Sequence, residues 1–157
     1  EAQAIVFIGS AANVSKGIQQ LRVAGSKAQV LTLSNNASDG FVKLLGANAR
    51  GVIVTQVFPN ERTQSVPLTK QAVDLARAKG LNSVSPAMME GFAAAKVLVE
   101  GLRRAGPNPT PGKLRDALEG IQRFDLGGLS LSYSASSHTG LDFADLSIID
   151  SDGRFRR

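Results

Sequence analysis

The feature that most constrains this chain is the alternation of apolar runs with amphipathic stretches over its first 57 residues. Ala4-Ile5-Val6-Phe7-Ile8 is short, continuous and rich in β-branched residues. Such a run reads as a strand buried on both faces, so a parallel sheet with helices on both sides is expected. Gly9-Ser10-Ala11-Ala12 then turns the chain. Val14, Ile18 and Leu21 follow at i, i+4 and i+7, one stripe of a helix that Gly25 stops. Val30–Leu33 reads as a second strand and Ser34-Asn35-Asn36-Ala37 as a loop. Ser38 can cap a short helix carrying Phe41, Leu44 and Leu45, with Gly46 at its end. Gly51–Val57 is a third strand. The order βαβαβ implies right-handed crossovers and an α/β fold with a parallel sheet.

The pattern breaks at Phe58-Pro59-Asn60, because Pro59 cannot donate to a ladder. The polar stretch Glu61–Ser65 is the best linker candidate, and three helices are expected after it. The first has Ser65 as N-cap, Pro67 in its opening turn and Leu68, Ala72, Leu75 and Ala76 as its stripe. The second starts at Ser85-Pro86; its run Phe92–Leu98 is apolar nearly all round except Lys96, and burial of most of it is expected. The third starts at Thr110-Pro111 and turns Leu114, Ala117, Leu118 and Ile121 inward. Leu129, Leu131 and Tyr133 alternate with serines as in a half-exposed strand, and Ser136–Leu141 is a loop. Leu146–Ile149 is a last strand before a hairpin turn at Asp152-Gly153.

Several function classes are excluded by what is missing. No apolar run approaches the roughly 18 residues of a membrane span. Without cysteine there is no disulfide, thiolate metal site or Cys nucleophile. The net charge is +5, but the 18 Lys and Arg are scattered, and across the clusters at Arg103-Arg104 and Arg154–Arg157 the one interleaved aromatic is Phe155. No nucleic-acid partner is therefore expected. Neither GxGxxG nor GxxxxGK[ST] follows a strand. His138 sits in a Ser-rich loop with no carboxylate near it in sequence and reads as solvated. Asp150-Ser151-Asp152-Gly153 begins like a calcium loop but lacks the spacing, so a turn is the better reading. No enzyme activity, metal or cofactor is expected.

In an open parallel sheet, ligands bind outside the carboxyl ends of the strands. Here those ends carry Ser10 and Ala11, Ser34 and Asn35, and Gln56 and Phe58, which are the candidate ligand-binding residues. Hydroxyls, amides and close backbone approach suit a neutral or anionic small molecule better than a metal. Turn and cap chemistry alone would also account for Ser34-Asn35-Asn36.

Longer stretches resemble a known family. GVIVTQVFPN, SPAMMEGFAAAKVLVEGLRRAGPNPTPGKLRDALEGI, FDLGG and the closing IIDSDGRF, in that order, are similar to the C-terminal part of type I periplasmic solute-binding proteins. The branch is the one serving branched-chain amino acid-type ABC transporters. AIVFIGSAANVSKGIQQLRVAG resembles a strand and helix of that family's second lobe. The resemblance implies two three-layer, Rossmann-like lobes around a clamped ligand, with an ABC permease as membrane partner and a periplasmic location. It implies that residues 1–57 belong to the second lobe, 58–143 to the first, and 144–157 to the second again. The alternative is a sensing domain of the same fold in a receptor or regulator. The family's amino-acid binders often place an aromatic residue and a carboxylate near the positions of Ser10 and Ser34. Neither has that chemistry here, so organic or aromatic acids become candidates beside amino acids. The chain begins EAQAIVFIGS, inside what reads as a strand, so a piece cut from a longer protein is expected. Apolar faces left uncovered by the cut would drive self-association.

Overall fold

In a computed structural model, which describes residues 2–157, the elements run β1 (Ala4–Phe7), α1 (Ala11–Val23), β2 (Gln29–Thr32), α2 (Asp39–Leu45) and β3 (Ile53–Gln56). They continue with α3 (Pro67–Ala78), α4 (Pro86–Ala105), α5 (Pro111–Glu119), β4 (Phe124–Asp125), β5 (Ser130–Leu131), β6 (Asp145–Ile149) and β7 (Phe155–Arg156). The chain divides into a sheet unit, residues 1–58, 85–87 and 144–157, and a helical unit, 59–84 and 88–143.

The sheet unit carries five strands in the order β1-β2-β3-β6-β7. β1, β2 and β3 are parallel as expected, but β6 and β7 join antiparallel, so the sheet is mixed. The reason is local: β6 enters beside β3 from the opposite direction, and the Asp150–Gly153 turn folds β7 back onto it. That turn is built on Asp150, whose Oδ1 accepts from the backbone N–H of Asp152 and Arg154 while Oδ2 accepts from Arg156 Nε at 2.6 Å. These bonds, the one from Arg156 foremost, hold the Asp150 carboxyl down at about 2.

The expected burial of Ala4–Ile8 on both faces is not what the fold gives. Successive crossovers between neighbouring parallel strands put α1 and α2 side by side on one face. There Val14, Ile18, Phe41 and Leu45 pack against Val30, Val54 and Ile149, with Phe7 at the margin. The opposite face carries the in-register row Val6, Leu31, Ile53 and Ile148. Val6 is 61% exposed and Ile148 44%, although both are as apolar as their buried neighbours. Ser38 caps α2 through the Phe41 N–H, and Gly25 and Gly46 end their helices at positive φ.

The helical unit is built around Leu68, Ala72, Met89, Ala93, Ile121, Leu126 and Leu131. Thr110 caps α5 as its sequence suggests, but α3 is capped by Val66 with no side-chain bond, one residue later than the expected Ser65. Leu75 faces outward, and Leu114, Ala117 and Leu118 are only half-buried. Within Phe92–Leu98 only Ala93 is fully buried and Leu98 is exposed, so the expected burial of most of this run does not hold in this chain. Lys96, the one polar residue there, reaches Leu126 O and Gln71 Oε1, both at 2.7 Å. The strand expected over Leu129–Tyr133 shortens to β5. It pairs with β4 through the FDLGG turn, whose Asp125 Oδ1 accepts the N–H groups of Gly127 and Gly128. A Cβ on Gly127 would lie 2.8 Å from Leu68 N, and φ there is +116°, so only glycine fits.

Candidate functional site

The carboxyl ends of the three parallel strands share one edge of the sheet, and a hydrogen-bond lattice ties them together. The Gly9 carbonyl, just past β1, accepts from both Asn35 Nδ2 (3.1 Å) and Asn36 Nδ2 (3.2 Å) of the turn after β2. Asn36 Nδ2 also reaches Thr32 Oγ1 at 2.9 Å, and that hydroxyl donates to Phe7 O at 3.0 Å. The Ser34 N–H donates to Thr55 Oγ1 of β3 at 2.9 Å. The ends of β1, β2 and β3 therefore form a braced lip.

On this lip Ser10 is exposed and serves as N-cap of α1, its hydroxyl accepting from the Asn13 N–H at a long 3.4 Å. Ala11 is the first residue of α1, whose opening N–H groups give the edge a partial positive charge. Ser34 is half-buried, and Asn35 is exposed with one N–H of its amide donating to the Gly9 carbonyl. Ser10, Ala11, Ser34 and Asn35 are thus brought together. Gln56 is not on the lip: it is 2% exposed and shares the inward phase of Val52 and Val54. Its Nε2 donates to Ser147 Oγ at 2.7 Å, and Ser147 in turn donates to Val54 O. Phe58 is half-buried just beyond the end of β3.

Two residues escaped the sequence reading. Asn36 is 1% exposed, and its Oδ1 has no partner, an unusual state for a buried acceptor. The run Ser34-Asn35-Asn36 announced a turn, but only its parity against Thr32 separates the buried amide from the exposed one. Asp145, in register with Gln56 at the same edge, was missed because strand burial was sought in Leu146–Ile149. Its Oδ2 lies 3.5 Å from Arg157 Nη1. His138 has a carboxylate after all, with Glu119 Oε1 of α5 at 3.2 Å from its Nε2, while the ring stays exposed. Among the described residues no group of His, Cys, Asp and Glu could hold a metal ion.

Residues 1–153 match the family described as periplasmic binding protein. The chain belongs to that family. The solved substrate-binding periplasmic protein of Ralstonia solanacearum is 32% identical, with TM-score 0.79 over 98% of this chain and 44% of its own. A leucine binding protein from Thermotoga maritima is 17% identical with TM-score 0.80, over 99% of this chain and 44% of that one. A branched chain amino acid ABC transporter protein from Thermus thermophilus with bound valine is 20% identical with TM-score 0.70, over 96% and 44%. The last two likenesses speak for the fold alone. No curated protein matches by sequence. The chain spans less than half the length of these solved relatives. It has the α/β lobe architecture of type I periplasmic binding proteins, and among the described residues no helix is long and apolar enough to cross a membrane.

Proposed function

We propose that this chain is part of an extracytoplasmic solute-binding protein of an ABC importer. It binds a small amino acid-like or organic acid ligand by hinge closure of two lobes, the closed form being read by the permease. Family membership over residues 1–153 carries this reading. Under it the sheet unit is second-lobe material and the helical unit first-lobe material. The lip of Ser10, Ala11, Ser34 and Asn35 is one wall of the site, with Phe58 beside it. Its hydroxyls, with the N-terminus of α1, favour a carboxylate. The nearby acidic group, Asp145, is ion-paired with Arg157 and gives an ammonium only a compensated anchor. Under this reading the protein makes and breaks no bond in the ligand.

The test is calorimetry on the protein expressed from its entire reading frame, titrated with leucine and with benzoate. Saturable benzoate binding that Ser10→Ala weakens supports the reading. Tight leucine binding with no response to benzoate overturns the ligand class.

A further inference from the structure

A cavity of about 380 Å³ opens in the helical unit, between α4, α5 and the segment from Tyr133 to His138. Its size falls within the range of small-molecule pockets, about 300–1,000 Å³. Val97 of α4, Leu114 and Leu118 of α5, and Tyr133 form walls whose open surface is almost wholly apolar. Packing fixes these walls. The Tyr133 N–H donates to Ile121 O at 2.8 Å, and its ring lies so close over Gly140 that a Cβ there would sit 2.7 Å from the hydroxyl oxygen. On the other side Leu118 is seated on Gly101 of α4, where an added Cβ would lie 2.7 Å from Leu118 Cδ2.

Three charged residues border the cavity, and each already has a partner. Glu119 Oε1 lies 3.2 Å from His138 Nε2 and 4.0 Å from Arg115 Nε, while Arg115 Nη2 lies 3.1 Å from Asp116 Oδ1. A ligand charge therefore finds no uncommitted opposite charge here. Water is poorly served too, since a held water needs about two to four polar partners. A peptide segment would fare no better, because its amide groups would be taken from water without replacement bonds. What apolar walls do favour is an uncharged apolar body. A dry cavity of about 150 Å³ is enough to take up one benzene, so this one has room for two fused rings.

We propose that this cavity binds a small, uncharged, two-ring apolar molecule, held by contact with Val97, Leu114, Leu118 and Tyr133 and by no ionic bond. All the residues involved belong to the helical unit, so the inference stands apart from the ligand reading of the strand-edge lip.

Indene and benzimidazole are the probes: both are two fused rings of one size, but benzimidazole carries a donor and an acceptor that these walls leave unpaired. Titration of the chain, followed by calorimetry and by NMR shifts of Tyr133, its one tyrosine, should give saturable indene binding. Indene should bind at least about tenfold tighter than benzimidazole, the scale of one polar group buried without a partner. Val97→Trp should fill the cavity and abolish indene binding. Leu114→Asn, at a half-buried wall position that tolerates an amide, should weaken it by about tenfold and decides alone if Val97→Trp fails to fold. Glu119→Gln should leave it within about twofold. The proposal is overturned by absence of saturable indene binding, by equal or tighter binding of benzimidazole, by a Leu114→Asn variant that binds indene unchanged, or by loss of binding in Glu119→Gln. Tyr133 shifts that follow protein concentration and ignore indene would give the cavity to a second copy of the chain and overturn it likewise.

Discussion

The two faces of the five-stranded sheet are built from the same strands, with residues of the same character, yet one is a core and the other a surface. Phe7, Thr32, Val54 and Ser147 form one cross-strand row, and Val6, Leu31, Ile53 and Ile148 the next. The first row, under α1 and α2, even admits a serine and a threonine, because their hydroxyls find backbone carbonyls there. The second row is wholly aliphatic, half-buried at Leu31 and Ile53 and exposed at Val6 and Ile148. Apolar character therefore records where a face is meant to be covered, and coverage itself depends on which helices the chain supplies.

The largest effect expected from this contrast is at Phe41. Its side chain is fully buried on the covered face, so Phe41→Ala should cost about 3–5 kcal/mol in a denaturant melt. A loss below about 1 kcal/mol would mean that the covered face is not a packed core. A matched pair sharpens the point: Ile149→Ala on the covered face should cost about 2–4 kcal/mol, and Ile148→Ala on the open face less than about 1. Equal losses would indicate that the open row is covered in solution. The third prediction concerns the face that carries that row, to which Leu146 also belongs. At high concentration the chain should sediment as self-associated species and take up an apolar dye, and Leu146→Lys with Ile148→Lys should reduce both. A strictly monomeric profile for the unaltered chain would remove the basis for this.

The smallest effect is electrostatic. Hydrogen bonds from Arg103 and Arg104 hold Glu100 in α4 at about 2, against an ordinary 4.5, and Asp150 is lowered to about 2 from 3.8. A lowered carboxyl stabilises the fold fully above its unfolded value, and that contribution disappears as pH falls through the folded one. Stability should therefore fall between about pH 4.5 and 2, and Asp150→Asn should flatten part of that slope. The open aliphatic row contributes nothing to it. Thermal melts across that window measure the slope.

Much of the architecture was legible because it is local. The strands, the caps at Ser38 and Thr110, the glycine stops and the hairpin at Asp152-Gly153 all follow from short-range rules. What could not be read depends on partners distant in sequence. Nothing near Ala4–Ile8 says that both helices will settle on one side. The buried, bracing role of Asn36 depends on Thr32 and Gly9, and Gln56 looks like a lip residue until Ser147, 91 positions on, takes its amide. Glu119 and His138 meet only because α5 and the serine-rich loop converge.

The Gly9 carbonyl, shared by two asparagine amides, has a consequence for how a solute would be sensed. The ends of β1, β2 and β3 are immobilised relative to one another when the sheet forms, so little ordering of this edge is left for the moment of capture. Under the proposed function such an edge would act as a fixed template: discrimination between solutes would rest on fit to a shape already set, and adaptation to a misfit would come from elsewhere in the protein.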